Sequence, residues 1–335
     1  GIIYREDQRI YYYDAQSDQT VVICSDPSCK HEKFTITSDS DCTGVVNCTV
    51  NSLCYLNGKL YLSYPENGDA LGVKTLFAAE VDGSNRKPIA EIDAQVIDQT
   101  LFTNDSVIIA YSNPYDLSAI NNGVVPEVPE WEAGIYTIDL ESGETVDICS
   151  HKAERGKISK VSFDGENIYY LFEYTEDMLN HGEIYRYNLE SREDEMLKAF
   201  ENAYFYGGFN TKGVLYTTYS GQEYSLHNYS FGGEDVTVDT VTDSPEGTFS
   251  GYYYLDDNSF IYNKTGTYYL YDLNAKESKL IGKPCGVATL IFAVLNDKIY
   301  LSCDESNTLS VGIGYLTKED FLNGDFDKVV TVRTY

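Results

Sequence analysis

The chain has 335 residues, with 53 Asp and Glu against 24 Lys and Arg, a formal charge of −29 at pH 7, 31 Tyr and 8 Cys. So negative a chain is repelled by nucleic acid and by anionic membrane surfaces, which are polyanions themselves. An apolar content of 42% argues against disorder, and no apolar run reaches the roughly 18 residues that a membrane-spanning helix needs.

The first patterned segment is Ile10-Tyr11-Tyr12-Tyr13-Asp14, a strand-like aromatic run closed by an acid and a small-residue turn. The phrase returns at Leu76 to Asp82, Ile135 to Ser142, Ile184 to Ser191, Leu226 to Ser230 and Tyr268 to Asn274, with a looser copy at Val311 to Thr317. Strands recurring about every 40 to 65 residues without a helical pattern predict an all-β fold, a β-propeller. Seven copies give seven blades of four antiparallel strands each, six and eight being the alternative counts. Because the repeats run end to end, residues 1–335 read as a single propeller domain.

Only Gly1 to Arg9 precedes the first phrase, with Gly1 to Arg5 its one strand-like run, so blade one lacks an evident inner strand. Either that strand and a targeting segment belong upstream of Gly1, or the run Lys328 to Tyr335 supplies the strand and closes the ring. Blade four shows the full pattern: strands at Lys157 to Phe163, Ile168 to Phe172, Ile184 to Leu189 and Asp194 to Phe200. Its first hairpin turns at Asp164-Gly165, a strong tight-turn signal, and Asn57-Gly58, Asn104-Asp105, Asp256-Asp257 and Asn296-Asp297 are equivalent. The turns after the repeated phrase are also short. The longer connections, at 25–48, 64–74, 112–133 and 173–183, fall on the opposite face by strand alternation and cluster over blades one to four. That elaborated face is the expected recognition surface.

Residues 25–54 read as a cysteine-rich insertion between blades one and two. Cys24, Cys29, His31 and Cys42 carry three thiols and an imidazole, the donor set that tetrahedral zinc accepts. The rival arrangement is disulfide bonding, with Cys24, Cys29 and Cys42 drawing a partner from Cys48 or Cys54. Either one staples a loop with few apolar residues, and a closed four-ligand zinc leaves no open position for catalysis. Cys149 with His151 echoes the theme, and Cys285 and Cys303 fall on neighbouring strands. Calcium stays open as a cofactor: Asp39-Ser40-Asp41-Cys42-Thr43-Gly44 opens like a calcium loop, but Val50 stands where a bidentate Glu belongs.

Residues 113–134 hold Pro114, Tyr115, Pro126, Pro129 and the sole tryptophan, Trp131. Tyr115 and Trp131 are the candidate ligand-binding residues of this preorganised loop, since such aromatics serve as binding anchors; the competing role for Trp131 is packing onto its own blade. No G-x-S-x-G, H-E-x-x-H or phosphate-loop pattern occurs, and the four His are scattered, so no catalytic residue is assigned.

The run Val22-Ile23-Cys24-Ser25-Asp26-Pro27-Ser28-Cys29-Lys30-His31, closed by Cys42 and preceded by the Tyr-rich phrase, resembles a group of uncharacterised propeller-shaped surface lipoproteins of anaerobic Gram-positive bacteria. The later blades share only their Tyr-rich repeats with that group, and here the gap before the last cysteine is longer, with Cys48 and Cys54 added. The resemblance implies export and anchoring by a lipid-modified cysteine outside this sequence, and it implies no activity. The expectation is therefore an extracellular, cell-surface-anchored binding module for a glycan, a peptide or a partner protein. The alternatives are a carbohydrate-active enzyme (a glycoside hydrolase or lyase using loop carboxylates) and a purely structural surface protein.

Overall fold

The computed structural model describes residues 2–333 apart from 7, 15, 18, 32–41, 47, 49, 66–67, 116–126, 243–248, 285–290, 296 and 305–310. Along it seven antiparallel sheets follow one another, the blades of the β-propeller that the repeats predict. Blade one is β1 (Ile2–Glu6), β2 (Arg9–Asp14) and β3 (Gln19–Val22). Blade two is β4 (Ser52–Leu56), β5 (Lys59–Tyr64), β6 (Lys74–Glu80) and β7 (Lys87–Ile92), and blade three is β8 (Val96–Phe102), β9 (Ser106–Tyr115), β10 (Glu127–Asp139) and β11 (Thr145–Ala153). Blade four comprises β12 (Lys157–Phe163), β13 (Asn167–Glu176), β14 (Leu179–Asn188) and β15 (Asp194–Glu201). Blade five has β16 (Ala203–Tyr204), β17 (Gly213–Ser220), β18 (Glu223–Ser230) and β19 (Asp235–Thr242). Blade six has β20 (Phe249–Asp256), β21 (Ser259–Lys264), β22 (Thr267–Asp272) and β23 (Glu277–Gly282). Blade seven has β24 (Ile291–Leu295), β25 (Lys298–Asp304), β26 (Val311–Thr317) and β27 (Val330–Arg333).

The chain divides into two compact units. One holds Gly1–Val161, Tyr170–Asp177 and Tyr187–Asp194; the other holds Ser162–Tyr169, Met178–Arg186 and Glu195–Tyr335. In the first, Ile10, Leu60, Leu62 and Phe77 form one core cluster, and Leu76, Val107, Ile109 and Tyr136 another. In the second, Leu215, Leu226, Phe260 and Tyr262 pack together, as do Ile261, Tyr268, Ile299 and Phe321. Each such side chain contributes about 1.5–3 kcal/mol on burial. The second strand of a blade is buried on both faces, so it reads as an unbroken apolar run such as Ile168 to Phe172.

The acid or amide that closes each repeated phrase is a turn device. The side-chain oxygen of Asp139 accepts the N–H groups of Glu141 (3.1 Å) and Ser142 (2.6 Å), and Asn188 does the same for Glu190 (3.1 Å) and Ser191 (2.8 Å). Asp272 repeats it with Asn274 (2.8 Å) and Ala275 (2.9 Å). The next residue, Gly143, Arg192 or Lys276, takes a left-handed conformation and returns its N–H to the carbonyl of the same Asp or Asn. Part of the acidic excess is thus spent on reversing the chain. Asn188→Ala is expected to lower stability by about 1 kcal/mol and Asn188→Asp to leave it unchanged, as urea unfolding will show.

Tyrosine has a matching role. The Tyr170 hydroxyl donates to Asp194 (2.6 Å), Tyr216 to Asp235 (2.9 Å) and Tyr262 to Ser278 (2.9 Å), each ring buried and each acceptor at the start of a fourth strand. A buried ring with a satisfied hydroxyl is what a Tyr-rich strand needs.

Three expectations need correction. The C-terminal run completes blade seven, with Ile313 opposite Arg333 and Tyr315 opposite Val330, and does not supply blade one, whose described sheet has three strands. The connection at 173–183 is no long loop: β13 and β14 continue to a tight hairpin in which Asp177 and Met178 have φ of 51° and 63°, the mirror-image turn that fits strand twist. A short helix, α1 (Lys318–Asn323), follows β26, with Thr317 capping the Asp320 N–H and Gly324 ending it at φ 77°; six residues are too few to show a helical period in sequence.

Candidate metal centre

The donor atoms of Cys24, Cys29, His31 and Cys42 all lie within 4.8 Å of one another. Local chemistry explains the convergence. Past β3, the Ile23 N–H donates to the Ile10 carbonyl (2.9 Å), which fixes Cys24 against blade one. Asp26 then accepts from the Ser28 N–H (2.8 Å) and hydroxyl (2.7 Å), and the Cys29 N–H donates to the Asp26 carbonyl (3.1 Å), so the chain doubles back. His31 takes a left-handed backbone conformation (φ 50°), and a ring nitrogen lies within the group of thiols.

Cys42 arrives on a strap that ties blade one to blade two. The Ile10 N–H donates to the Gly44 carbonyl (2.9 Å), and the Val46 N–H donates to the Gln8 carbonyl (2.8 Å). Thr43 accepts the Ser25 N–H (2.9 Å) and donates to the Asp82 carbonyl (2.9 Å), while the Arg86 guanidinium donates to the Thr43 carbonyl. The approach is close enough that a Cβ on Gly44 would sit 2.0 Å from the Ile23 carbonyl oxygen.

The electrostatics suit a cation. Partial burial works to raise the Cys24 thiol, but hydrogen bonds from His31, the Asp26 backbone, Cys42 and Thr43 bring it down to about 6. Burial pushes Cys42 up to about 11. His31 Nε2 is buried without a hydrogen-bond partner among the described residues, an atom that a metal would satisfy. Tetrahedral zinc with zinc–sulfur bonds of about 2.3 Å separates its donors by roughly 3.8 Å, so the cluster fits the ion. No disulfide joins Cys24, Cys29, Cys42, Cys48, Cys54 or Cys149 to another described cysteine. Cys48 and Cys54 stand outside the cluster, their thiols raised chiefly by burial. Asp39 and Asp41 of the calcium-like segment, Cys285 and the Cys303 side chain lie outside the described residues.

An open pocket of about 330 Å³ adjoins the centre, lined by Ile3, Tyr12, Val21–Cys24, Tyr55, Val81 and Asp82. Sequence reading missed it because its wall joins residues of blade one and the segment just after it to residues of blade two.

The other sequence candidates are placed differently. Tyr115 ends β9, its backbone N–H donating to Gln95 Oε1 (2.9 Å) and its carbonyl accepting from Gln95 Nε2 (2.8 Å). Trp131 lies within strand β10, not in a loop, opposite Ala153 of β11, half-buried and with its Nε1 unpartnered. Tyr115 pairs with Glu127, so the two aromatics occupy different parts of the sheet. Pro126 lies outside the described residues. Cys149 and His151 make no metal group: His151 Nε2 meets the Tyr170 hydroxyl (3.0 Å), which donates to Asp194. His227 is half-buried and held between Thr218 (2.9 Å) and Thr237 (3.3 Å), a hydrogen-bonded structural histidine.

Asp98, on β8, is a further perturbed group. Burial pushes its carboxyl up to about 6 against the weaker pull of Ser112 and Lys157, and its Oδ2 is buried without a partner. A carboxyl with a folded pKa above its unfolded value of about 3.9 binds its proton more tightly when folded, so stability falls as pH rises from about 4 to 6. Asp98→Asn is expected to stabilise the protein by on the order of 2 kcal/mol at pH 7.5 and to change little near pH 4, which paired thermal scans will test.

No protein-family model matches the chain, and no curated protein matches it. Among solved structures it is similar to the β-propeller domain of the Trilobed protease from Pyrococcus furiosus, described as having an open velcro topology. That match has 14% identity, a TM-score of 0.52 and coverage of 85% of this chain and 84% of that one. It is also similar to dipeptidyl peptidase 4 of Porphyromonas gingivalis (10% identity, TM-score 0.50, 97% and 48% covered). The chain spans 58% of the TolB chain from Acinetobacter baumannii (15% identity, TM-score 0.39, 75% of this chain covered). At 14% identity the likeness to the Trilobed protease domain is one of fold alone, a β-propeller.

Proposed function

We propose that this protein is an extracellular, cell-surface-anchored binding module that recognises a glycan, a peptide or a partner protein through the loop-bearing side of blades one to three. In this reading Cys24, Cys29, His31 and Cys42 hold a structural zinc. The ion closes the strap, and with four protein donors it has no vacant position for chemistry. The resemblance to surface lipoproteins supports the location and the lipid anchor. The observation that carries the reading is the open pocket beside the strap, whose mouth exposes Val21 (52%), Tyr55 (48%) and Val81 (55%). Clustered exposed apolar side chains on a folded surface mark contact sites. Tyr115 and Trp131 remain candidate contacts at blade three. Titrating the metal-loaded protein against oligosaccharide and peptide panels, with product analysis, tests the assignment. Saturable binding without turnover is expected, whereas release of product from an oligosaccharide would replace the module with a carbohydrate-active enzyme.

A further inference from the structure

We propose that the pocket beside Cys24 takes an apolar side chain of a positively charged peptide segment presented by a partner protein. The inference rests on the binding-module reading and specifies its ligand. Size comes first: about 330 Å³ is at the small end of ligand pockets and suits one large side chain. Val21, Tyr55 and Val81 line the pocket and are also exposed at the surface, so an occupant held by them is in contact with the open face, as a side chain presented by a polymer is.

Charge then sets the sign. Among the described lining residues the one carboxyl is that of Asp82, and none is Lys, Arg or His. Asp82 Oδ1 is occupied by the Ser84 N–H (3.0 Å) and hydroxyl (2.6 Å), which hold its carboxyl below the usual carboxylate range. The pocket is therefore negative at neutral pH, in a chain of net charge −29. An acidic segment is repelled at long range and gains nothing at short range, whereas flanking Lys or Arg are attracted in both regimes. The apolar anchor supplies affinity and the flanking cations supply orientation.

The test uses three labelled peptides of equal length and fluorescence anisotropy with the metal-loaded protein. The first carries a central Leu-Trp flanked by Lys, the second the same centre flanked by Glu, and the third Lys flanks around a Ser-Ser centre. The first is expected to bind at least tenfold more tightly than either other. Val21→Ser with Val81→Ser, both exposed positions, should lose tenfold or more while keeping the zinc content and the thermal midpoint. Asp82→Asn should weaken binding and flatten its salt dependence. Equal binding of the first and third peptides, or full binding by the double variant, overturns the pocket as the site. If the double variant loses none of the affinity for a ligand found in the broader panels, the module stands and this inference alone falls. If no panel member binds, both fall.

Discussion

Stripping the metal from purified protein with a strong chelator is expected to lower its thermal stability by on the order of 4 kcal/mol, the linkage expected when metal exceeds its dissociation constant about a thousandfold. The magnitude follows from what the strap does. Between Cys29 and Cys42 the sequence holds only Phe34 and Ile36 as large apolar residues, and the four donors are drawn from both sides of that segment. Zinc should restore the midpoint and magnesium should not, because thiolate and imidazole donors suit zinc and a hard cation demands oxygen. Cys29→Ser and His31→Ala should each abolish stoichiometric zinc, whereas Cys54→Ser, outside the cluster, should keep it. Less than a tenth of an equivalent of zinc after dialysis against the ion, or a midpoint indifferent to chelator, would remove the metal from this account. Loss of the pocket ligand on chelation would further tie the strap to recognition.

The second large effect is expected at Lys74. This side chain is fully buried in β6, and its ammonium donates to the carbonyls of Gly72 (2.9 Å), Ala94 (2.6 Å) and Gln95 (2.7 Å). Burial holds its pKa below the ordinary lysine value, opposed by Asp69. The ammonium thus does for three converging carbonyls what water cannot, and it joins β6 to the start of blade three. Lys74→Met keeps the stem but strands the carbonyls, at a cost of about 4 kcal/mol, since each buried unpaired acceptor costs about 1–3 kcal/mol. Lys74→Arg should not rescue it, because a planar guanidinium directs its donors in a fixed fork. Urea unfolding gives the number, and a loss below about 1 kcal/mol would show that the carbonyls find other donors.

The difference between Lys74 and the repeated phrase shows what a linear reading can reach. Asp139, Asn188 and Asp272 act on residues two to four positions away, so their turns are legible as spacing. The same holds for the blade count and for the first strand of blade four, Lys157–Phe163, which was readable to the residue; the next two strands run further than the sequence suggested, on to Glu176 and back to Leu179. The hairpin at Asp177-Met178 was not legible, because neither residue is the Gly or Asn that announces a left-handed turn. Lys74 and Asp98 read as ordinary surface charges until partners some 20 and 14 positions away enclose them.

The sequence alone determined the architecture and named four side chains able to hold a metal, because both are written in local periodicity and in side-chain type. Alternating aromatic runs bury themselves wherever they recur, and three thiols with an imidazole carry the same ligand chemistry in any fold. Whether those donors meet was settled by the hydrogen bonds of the Gly44 carbonyl with the Ile10 N–H, the Val46 N–H with the Gln8 carbonyl, and the Thr43 hydroxyl with the Asp82 carbonyl. The pocket depends on tertiary structure in the same way: its wall exists only where β1, β3, β4 and the turn after β6 are brought side by side. Proximity of this kind has no signature in the order of residues, because packing energy is earned between segments far apart in the chain.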